Sequence, residues 1–253
     1  MSSSSSSAST QDPVSQTLAQ YTPCDVADAL VKYGIPHGGY IPHLVQYSKT
    51  LDATGSVAGR AYTVEYAPLD DPRPAVKGGY IDTAPAGGVV VLGTSASVQI
   101  PVAPYTRISN ALYGGLMSTR AQYRGAVGSV VLGKIRDVRE HNALGYPVFA
   151  YGLGICAPTK VVKVVAVDAP LVVKVASQST DAGAPDEERV INPGDYIVAD
   201  ENGVVVLPAA DEEFVKKVLE AIPPRVRADE LVAEDIKQGV PAGQAQKHRR
   251  AGL

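Results

Sequence analysis

The sequence predicts an α/β fold in a single domain, with a central mixed sheet or small barrel and flanking helices. Two continuous apolar runs, GGVVVLGT (87–94) and GSVVLGKI (128–135), are separated by a helix-length segment. Such runs are typical of parallel strands that are covered on both faces. The later strand-like runs lie close together with turn residues between them, as in antiparallel hairpins. No long linker divides the middle of the 253 residues, so we expect one domain.

Composition and charge argue against several functional classes. The net charge of -3 and the isoelectric point near 5.8 provide no basic surface for nucleic acid. No apolar run reaches the roughly 18 residues that a membrane helix needs, so we expect neither a nucleic-acid nor a membrane partner. Cys24 and Cys156 are too few for a disulfide framework, which favours a reducing, cytoplasmic compartment.

The two ends of the chain differ from its middle. The opening MSSSSSSASTQDPVSQ is rich in serine and lacks the apolar stretch of a secretory signal, so we predict a disordered leader over 1–20. The predicted domain covers 21–225. The segment 226–253 is predicted as a C-terminal helix and tail, separated from the preceding helix by PPRVR. Such an end either packs at a subunit interface or stays solvated.

Local signals define the predicted elements. The run TPCDVADALVKYG predicts a helix with Thr22 as N-cap, Pro23 in the first turn and Gly34 as its stop. Its apolar residues recur at helical spacing, so one face is expected to be buried. The predicted strands are 61–67, 87–94, 128–135, 146–152, 160–168, 171–176, 195–200 and 203–208.

A glycine pair precedes the second apolar run. If a helix begins near Gly115, the N–H groups of Gly115, Leu116 and Met117 have no intrahelical partner and point out of the helix end. Together with the helix dipole they form an anion site, and Gly114 lets a ligand approach the backbone. The alternative is an ordinary turn that uses two glycines.

The second apolar run ends in a cation beside a carboxylate. Ligands gather at the carboxyl ends of parallel strands, where Arg136 and Asp137 are expected. Arg136 suits a bidentate contact with a carboxylate, and we expect Asp137 to point elsewhere and to hold a hard cation. The alternative is a surface arginine beside a helix-capping aspartate.

Other polar residues nearby have simpler interpretations. Glu140 and His141 follow Asp137 by one helical turn and are interpreted first as a solvated helix face, with a role in orienting water as the alternative. Lys134 is expected to be an ordinary strand residue rather than a Schiff-base lysine. Asp200 and Glu201 fit a hairpin turn, although they could reach a neighbouring subunit.

Several segments together resemble one known family. The span GGLMSTRAQYRGAVGSVVLGKIRDVREHNALGYPVFAYG is similar to the core of the RraA-like family, which includes the 4-hydroxy-4-methyl-2-oxoglutarate aldolases. That family's pattern is an acid, twenty residues, Arg-Asp, and a segment ending in PVFA. The resemblance also covers DVADAL and NPGDYIVADENGVVVLP, and it extends over 22–245.

The resemblance implies a fold, a chemistry and an assembly. It implies a swivelling β/β/α-type domain in homotrimers or hexamers (dimers of trimers), with sites between subunits. It implies a class II carbon–carbon lyase, an aldolase or oxaloacetate decarboxylase, that acts on small 2-oxo acids through a pyruvate enolate. The amides of Gly114, Gly115, Leu116 and Met117, together with Arg136, are implied to hold the substrate's carboxylate. Asp137 is implied to bind Mg²⁺ or Mn²⁺, and Arg136 and Asp137 are the implied catalytic residues.

One departure from the family pattern affects the expected activity. Gly115 stands where the aldolase pattern has Asp or Glu, so we expect decarboxylation to persist more readily than aldol cleavage. Two other hypotheses remain. In the first, the chain is a non-catalytic regulator, since the family includes an inhibitor of a bacterial ribonuclease E. In the second, the scaffold serves a specialised biosynthetic reaction on a larger molecule.

Overall fold

A computed structural model describes residues 11–49, 55–177, 179, 181 and 183–253. The helices are α1 (Pro13–Leu18), α2 (Pro23–Lys32), α3 (Gly115–Tyr123), α4 (Val138–Leu144), α5 (Glu212–Lys237) and α6 (Ala242–Arg249). The strands are β1 (Tyr40–Ile41), β2 (Val45–Ser48), β3 (Val57–Pro68), β4 (Val89–Thr94), β5 (Ala111–Tyr113), β6 (Gly128–Ile135), β7 (Val148–Leu153), β8 (Val162–Val167), β9 (Leu171–Val175), β10 (Glu187–Ile191), β11 (Tyr196–Asp200) and β12 (Gly203–Leu207).

A mixed ten-stranded sheet forms the centre of the fold, with eight strands in the order β1-β12-β11-β3-β4-β6-β7-β2 and with β5 and β8 paired to β6 and β3 beside this path. Strands β3, β4, β6 and β7 are mutually parallel, and β5 adds to β6 in parallel. The long strand β3 pairs antiparallel with β11 along its first half and with β8 along its second half. A separate two-stranded sheet joins β9 to β10. The predicted mixed α/β architecture is confirmed.

The parallel strands are buried on both faces, as their continuous apolar runs predict. Along β4, Val89 and Val91 pack into a core that β9, β11 and β12 close, whereas Val90 and Leu92 pack into a second core beneath α3. Successive side chains of a strand point to opposite faces. A run without polar positions therefore needs two apolar layers, one on each side of the sheet.

Helix α2 forms as its end signals predict. The hydroxyl of Thr22 accepts a hydrogen bond from the N–H of Asp25, and the Asp25 carboxylate accepts one from the N–H of Thr22. This reciprocal capping box satisfies two N–H groups that the helix leaves unpaired. Gly34 follows the helix with φ of +81°, a conformation that favours glycine. Val26 and Leu30 are fully buried beneath it.

The predicted disordered leader is wrong for its second half. Helix α1 lies inside 1–20 and begins at an Asp12 cap, whose carboxylate accepts from the N–H of Ser15. Leu18 is fully buried in the core that α2 and α5 also share. The serine-rich composition hid this short helix, in which Leu18 is the buried apolar residue and Val14 and Ala19 pack against the same core. Residues 1–10 lie outside the described residues.

The predicted division of the C-terminal region at 225 is also wrong. Helix α5 runs without a break through Pro223 and Pro224. Val218, Ile222 and Val232 are buried along its length, so tertiary packing holds the helix across prolines that would interrupt it in isolation. Helix α6 folds back onto α5 of the same chain through two ion pairs, Arg249–Asp235 and Arg250–Asp229. A further role for 226–253 at a subunit interface stays a prediction.

The predicted strands all form, with ends shifted by a few residues. Four strands were missed, namely β1, β2, β5 and β10. Three of them have four residues or fewer, which is too short for a clear alternation of apolar residues. Strand β10, EERVI, alternates partly buried and exposed side chains and contains three charges, so only its pairing with β9 identifies it.

Candidate active site

The carboxyl ends of the parallel strands border a cavity of about 600 Å³. Arg136 and Asp137 follow the end of β6, Tyr66 lies near the end of β3, and the segment 157–159 follows β7. Gly114, Leu116 and Met117 border the same cavity from the start of α3. The structure therefore brings the predicted site residues together, at the edge of the sheet where α/β proteins bind ligands.

The N-terminal end of α3 offers fewer free amides than the sequence predicts. The N–H of Gly115 donates to Oδ2 of Asp137 over 3.1 Å, and the N–H of Met117 donates to the carbonyl of Gly114 over 3.0 Å. The expectation of three free donors is wrong for these two residues, because the turn and Asp137 take them up. Within the described residues the N–H of Leu116 has no such acceptor, which leaves it for a ligand.

The glycine pair leaves room for neighbouring protein side chains. A Cβ atom at Gly114 would lie 2.6 Å from Oδ2 of Asp137 and 3.2 Å from Nε of Arg136. A Cβ atom at Gly115 would lie 2.6 Å from Cδ and 2.7 Å from Cβ of Glu140. Real Cβ atoms do not approach within 2.7 Å of each other, so Gly115 is needed for the close packing of α3 against the turn between β6 and α4, and a side chain at Gly114 would displace those of Asp137 and Arg136.

Asp137 adopts a left-handed backbone conformation, with φ of 63° and ψ of 38°. It occupies the N-cap position of α4, yet its side chain makes no capping hydrogen bond to that helix. The expectation that Asp137 points away from Arg136 is wrong, since Nε of Arg136 lies 3.4 Å from Oδ2 of Asp137. The left-handed residue ends the strand's alternation of side chains and brings the pair together. Both side chains remain partly exposed to the cavity.

His141 is a buried structural link that the sequence interpretation missed. It is completely buried and stacks on Tyr113, so its interpretation as part of a solvated face is wrong. Nδ1 lies 2.9 Å from Oγ of Ser118, and Nε2 lies 2.7 Å from the carbonyl oxygen of Arg136. Because a carbonyl only accepts, Nε2 carries the proton and Nδ1 accepts from the serine. Burial lowers the pKa of His141, which favours this neutral form.

Buried tyrosines form the floor beneath the site. The hydroxyl of Tyr113 accepts a hydrogen bond from Ser129, and burial raises the pKa of Tyr113 to about 12. Tyr66 reaches the cavity itself, and burial raises its pKa as well. Both rings are therefore neutral at physiological pH. Tyr66 was not predicted as a site residue, although its place near the carboxyl end of a parallel strand was a usable signal.

The neighbouring polar residues have different positions. Glu140 is exposed, as predicted for a residue on a solvated helix face, and it borders the cavity. Asp200 and Glu201 border another cleft, of about 290 Å³, together with Lys49. Oδ1 of Asp200 accepts from the N–H of Asn202, as the turn interpretation predicts. Neither acid borders the cavity at Arg136.

The donor set at the cavity suits a hydrated divalent cation. Among the described residues, no three histidine, cysteine, aspartate or glutamate side chains converge as a metal site would require. Asp137 and Glu140 are the two carboxylates that border the cavity. Mg²⁺ commonly binds through one or two carboxylates, with water and substrate as its other ligands. Asp137 therefore fits Mg²⁺ or Mn²⁺ as a single carboxylate ligand, and it would not form a fully protein-bound site.

Comparison with known proteins identifies the family. The family model described as RraA-like, Aldolase/RraA, matches residues 23–206. This chain belongs to the RraA-like family. The crystal structure of an uncharacterised protein from Pseudomonas syringae superimposes with a TM-score of 0.70 at 25% identity, covering 92% of this chain and 96% of that chain. The family resemblance and the fold class predicted from the sequence are confirmed.

Two curated relatives of this RraA-like chain differ in length. A candidate 4-hydroxy-4-methyl-2-oxoglutarate aldolase of Halalkalibacterium halodurans is 30% identical over 175 residues, which cover 69% of this chain and 70% of that protein. The protein DlpA of Legionella pneumophila is 28% identical over 238 residues, which cover 93% of this chain. This chain spans only 33% of the length of DlpA. Within the described residues, no helix is long and apolar enough to span a membrane.

Proposed function

We propose that this RraA-like protein is a divalent-metal-dependent lyase that acts on small 2-oxo acids. The observation that carries the proposal is the pairing of Arg136 with Asp137 at the mouth of the cavity, with Nε and Oδ2 3.4 Å apart. A guanidinium recognises a carboxylate, and an adjacent aspartate attracts a cation. A 2-oxo acid has a carboxylate that the guanidinium can bind, next to a carbonyl whose oxygen can meet the cation.

Each residue has a separate part in binding. The partly exposed guanidinium of Arg136 and the N–H of Leu116 hold the substrate's carboxylate. Asp137 would hold Mg²⁺ or Mn²⁺, which when bound stabilises negative charge that develops on the 2-oxo oxygen. Tyr66 and Met117 border the cavity and exclude water from the reacting carbons. This arrangement orients the bond next to the carbonyl for cleavage.

Exposed apolar residues favour assembly into an oligomer, which we propose to be a homotrimer or hexamer. Leu116 is 75% exposed at the start of α3, and Ile155 is 90% exposed just after β7. Side chains of this kind are commonly covered by a partner when they lie together. Measurement of the molar mass by light scattering after size exclusion tests the assembly, and a monomer at micromolar concentration would contradict it.

The test of the proposed function is pyruvate release from oxaloacetate and from 4-hydroxy-4-methyl-2-oxoglutarate. We expect release with Mg²⁺, its loss with EDTA, and its loss in Asp137→Ala. Oxaloacetate is expected to be the better substrate, because its cleavage removes no proton from a substrate hydroxyl. Release that is equal in the wild type and in Asp137→Ala would contradict the lyase, and would favour the non-catalytic regulator or a larger substrate.

A further inference from the structure

The chemistry of carbon–carbon cleavage needs a group that moves a proton, and few side chains at the cavity qualify. Cleavage next to a carbonyl leaves an enolate, which must gain a proton at carbon before pyruvate is released. The ionisable side chains that border the cavity are those of Tyr66, Tyr113, Arg136, Asp137 and Glu140. The proton carrier should come from this set or from close behind it.

Most of these groups are otherwise engaged. Oδ2 of Asp137 accepts the N–H of Gly115 and faces the guanidinium of Arg136. Burial raises the pKa of both tyrosines, so neither hydroxyl acts readily as a base. His141 is closest behind the wall, but it is completely buried and both of its ring nitrogens have partners.

Glu140 differs from the others in exposure and in freedom. It is exposed in the first turn of α4, and within the described residues its carboxylate has no hydrogen bond or ion pair. Its side chain passes across the backbone of Gly115, where any larger residue would collide with it. The absence of a side chain at Gly115 is thus what allows the Glu140 carboxylate to reach the mouth of the cavity.

We propose that Glu140 is the catalytic acid–base of the 2-oxo-acid lyase, which rests on the function proposed above. In aldol cleavage the Glu140 carboxylate removes the proton of the C4 hydroxyl. The C4–O electrons form a carbonyl, the C3–C4 bond breaks, and its electron pair moves into the C2 carbonyl to form the enolate of pyruvate. The carboxylic acid of Glu140 then returns the proton to C3. One proton is taken and one is returned, so the step balances.

Decarboxylation of oxaloacetate uses only the second half of this cycle. The C3–C4 bond breaks, carbon dioxide leaves, and the electron pair forms the same enolate. Glu140 in its acid form delivers a proton to C3 and is recharged from water, so one proton is consumed for each turnover. The aldolase pattern has an acid at the position of Gly115, and in this chain α4 supplies the carboxylate instead. Both reactions therefore share one proton carrier.

The experiment compares Glu140→Gln with Glu213→Gln. Glu213 is exposed in the first turn of α5, as Glu140 is in α4, and is remote from the cavity lining. Three quantities are measured with Mn²⁺ or Mg²⁺: pyruvate release from both substrates, exchange of the pyruvate methyl protons for deuterium by NMR, and Mn²⁺ affinity by titration. Glu140→Gln should lose about 100-fold or more in release and exchange, with Mn²⁺ affinity unchanged. Glu213→Gln should match the wild type.

Three results would overturn the proposal in distinguishable ways. Wild-type exchange rates in Glu140→Gln, in an enzyme whose wild type releases pyruvate, would overturn the role of Glu140 alone. A large loss of Mn²⁺ affinity would make Glu140 a cation ligand instead of the proton carrier. A wild type without metal-dependent release would overturn the proposed function together with this role. Circular dichroism and unfolding midpoints confirm that Glu140→Gln is folded, which its exposed position favours.

Discussion

Nε2 of His141 lies 2.7 Å from the carbonyl oxygen of Arg136, so the helix after the candidate active-site turn holds the backbone of that turn. The N–H of Arg136 is held from the other side by the carbonyl of Tyr113. Through Nδ1, His141 also binds Ser118 of α3. One imidazole therefore joins the two helices whose ends border the cavity and supports the left-handed residue Asp137.

His141→Leu should destabilise the fold by about 1–3 kcal/mol, because leucine removes the hydrogen bonds that the imidazole makes with the buried hydroxyl of Ser118 and with the Arg136 carbonyl. Urea unfolding measures the loss. The control is His248→Leu on α6, where the histidine is exposed and the change should be small. Equal effects of the two substitutions would contradict the role of His141 as a link.

The free energy of unfolding should decrease as the pH falls just below neutrality, because of His141. Burial lowers the pKa of His141 in the folded state below its ordinary value near 6.5, so the unfolded state binds more protons. Stability is therefore greatest above pH 6.5 and declines as pH falls toward the folded pKa, by up to about 1.4 kcal/mol per unit. Unfolding of the wild type and of His141→Gln at pH 7.5 and 5.5 measures the difference. An equal decline in both proteins would contradict the assignment.

Asp137→Asn should abolish metal-dependent pyruvate release while the fold persists. Asparagine tolerates the left-handed conformation, so the backbone is not strained, but a neutral amide attracts a divalent cation weakly. The control is Asp168→Asn, since Asp168 has φ of 54° and lies away from the cavity. We expect a loss of about 100-fold or more at Asp137 and little change at Asp168. Mn²⁺ binding that survives in Asp137→Asn would contradict the assignment.

Arg136→Lys should raise KM for 2-oxo acids by about 10-fold or more, because lysine cannot form the bidentate contact that a guanidinium makes with a carboxylate. Steady-state kinetics with oxaloacetate measure the change. The matched variant is Arg139→Lys, at an exposed arginine in the first turn of α4. If both variants keep the wild-type KM, Arg136 does not bind the carboxylate.

Gly115→Ala should reduce both stability and activity, since the new Cβ atom collides with the side chain of Glu140. Overpacking of this kind costs about 1–3 kcal/mol. The cost should be smaller in the Glu140→Ala background, because most of the colliding atoms are then absent, and a double-mutant cycle measures the coupling. Gly152→Ala serves as the control, because a Cβ atom there would meet no atom within 4 Å. Additive effects at the two sites would contradict the contact.

Much of the fold could be predicted from local patterns. The run at 128–135 predicted a parallel strand covered on both faces, and β6 spans Gly128–Ile135. Strand β10 could not be predicted, because its charged residues alternate with partly buried ones and only β9 explains its conformation. The continuous helix through Pro223 was missed for a similar reason, since burial against the rest of the fold outweighs a local break.

The sequence by itself determined the α/β class, the place of Arg136 and Asp137 at a strand end, and the glycine pair at the start of α3. These follow from periodicity and from residue chemistry, which act over a few neighbouring positions. Only the tertiary structure decided that Glu140 fills the space at Gly115 and that His141 holds the backbone of Arg136. Both contacts join residues of different elements, and their close approach depends on how α3 and α4 pack on the sheet.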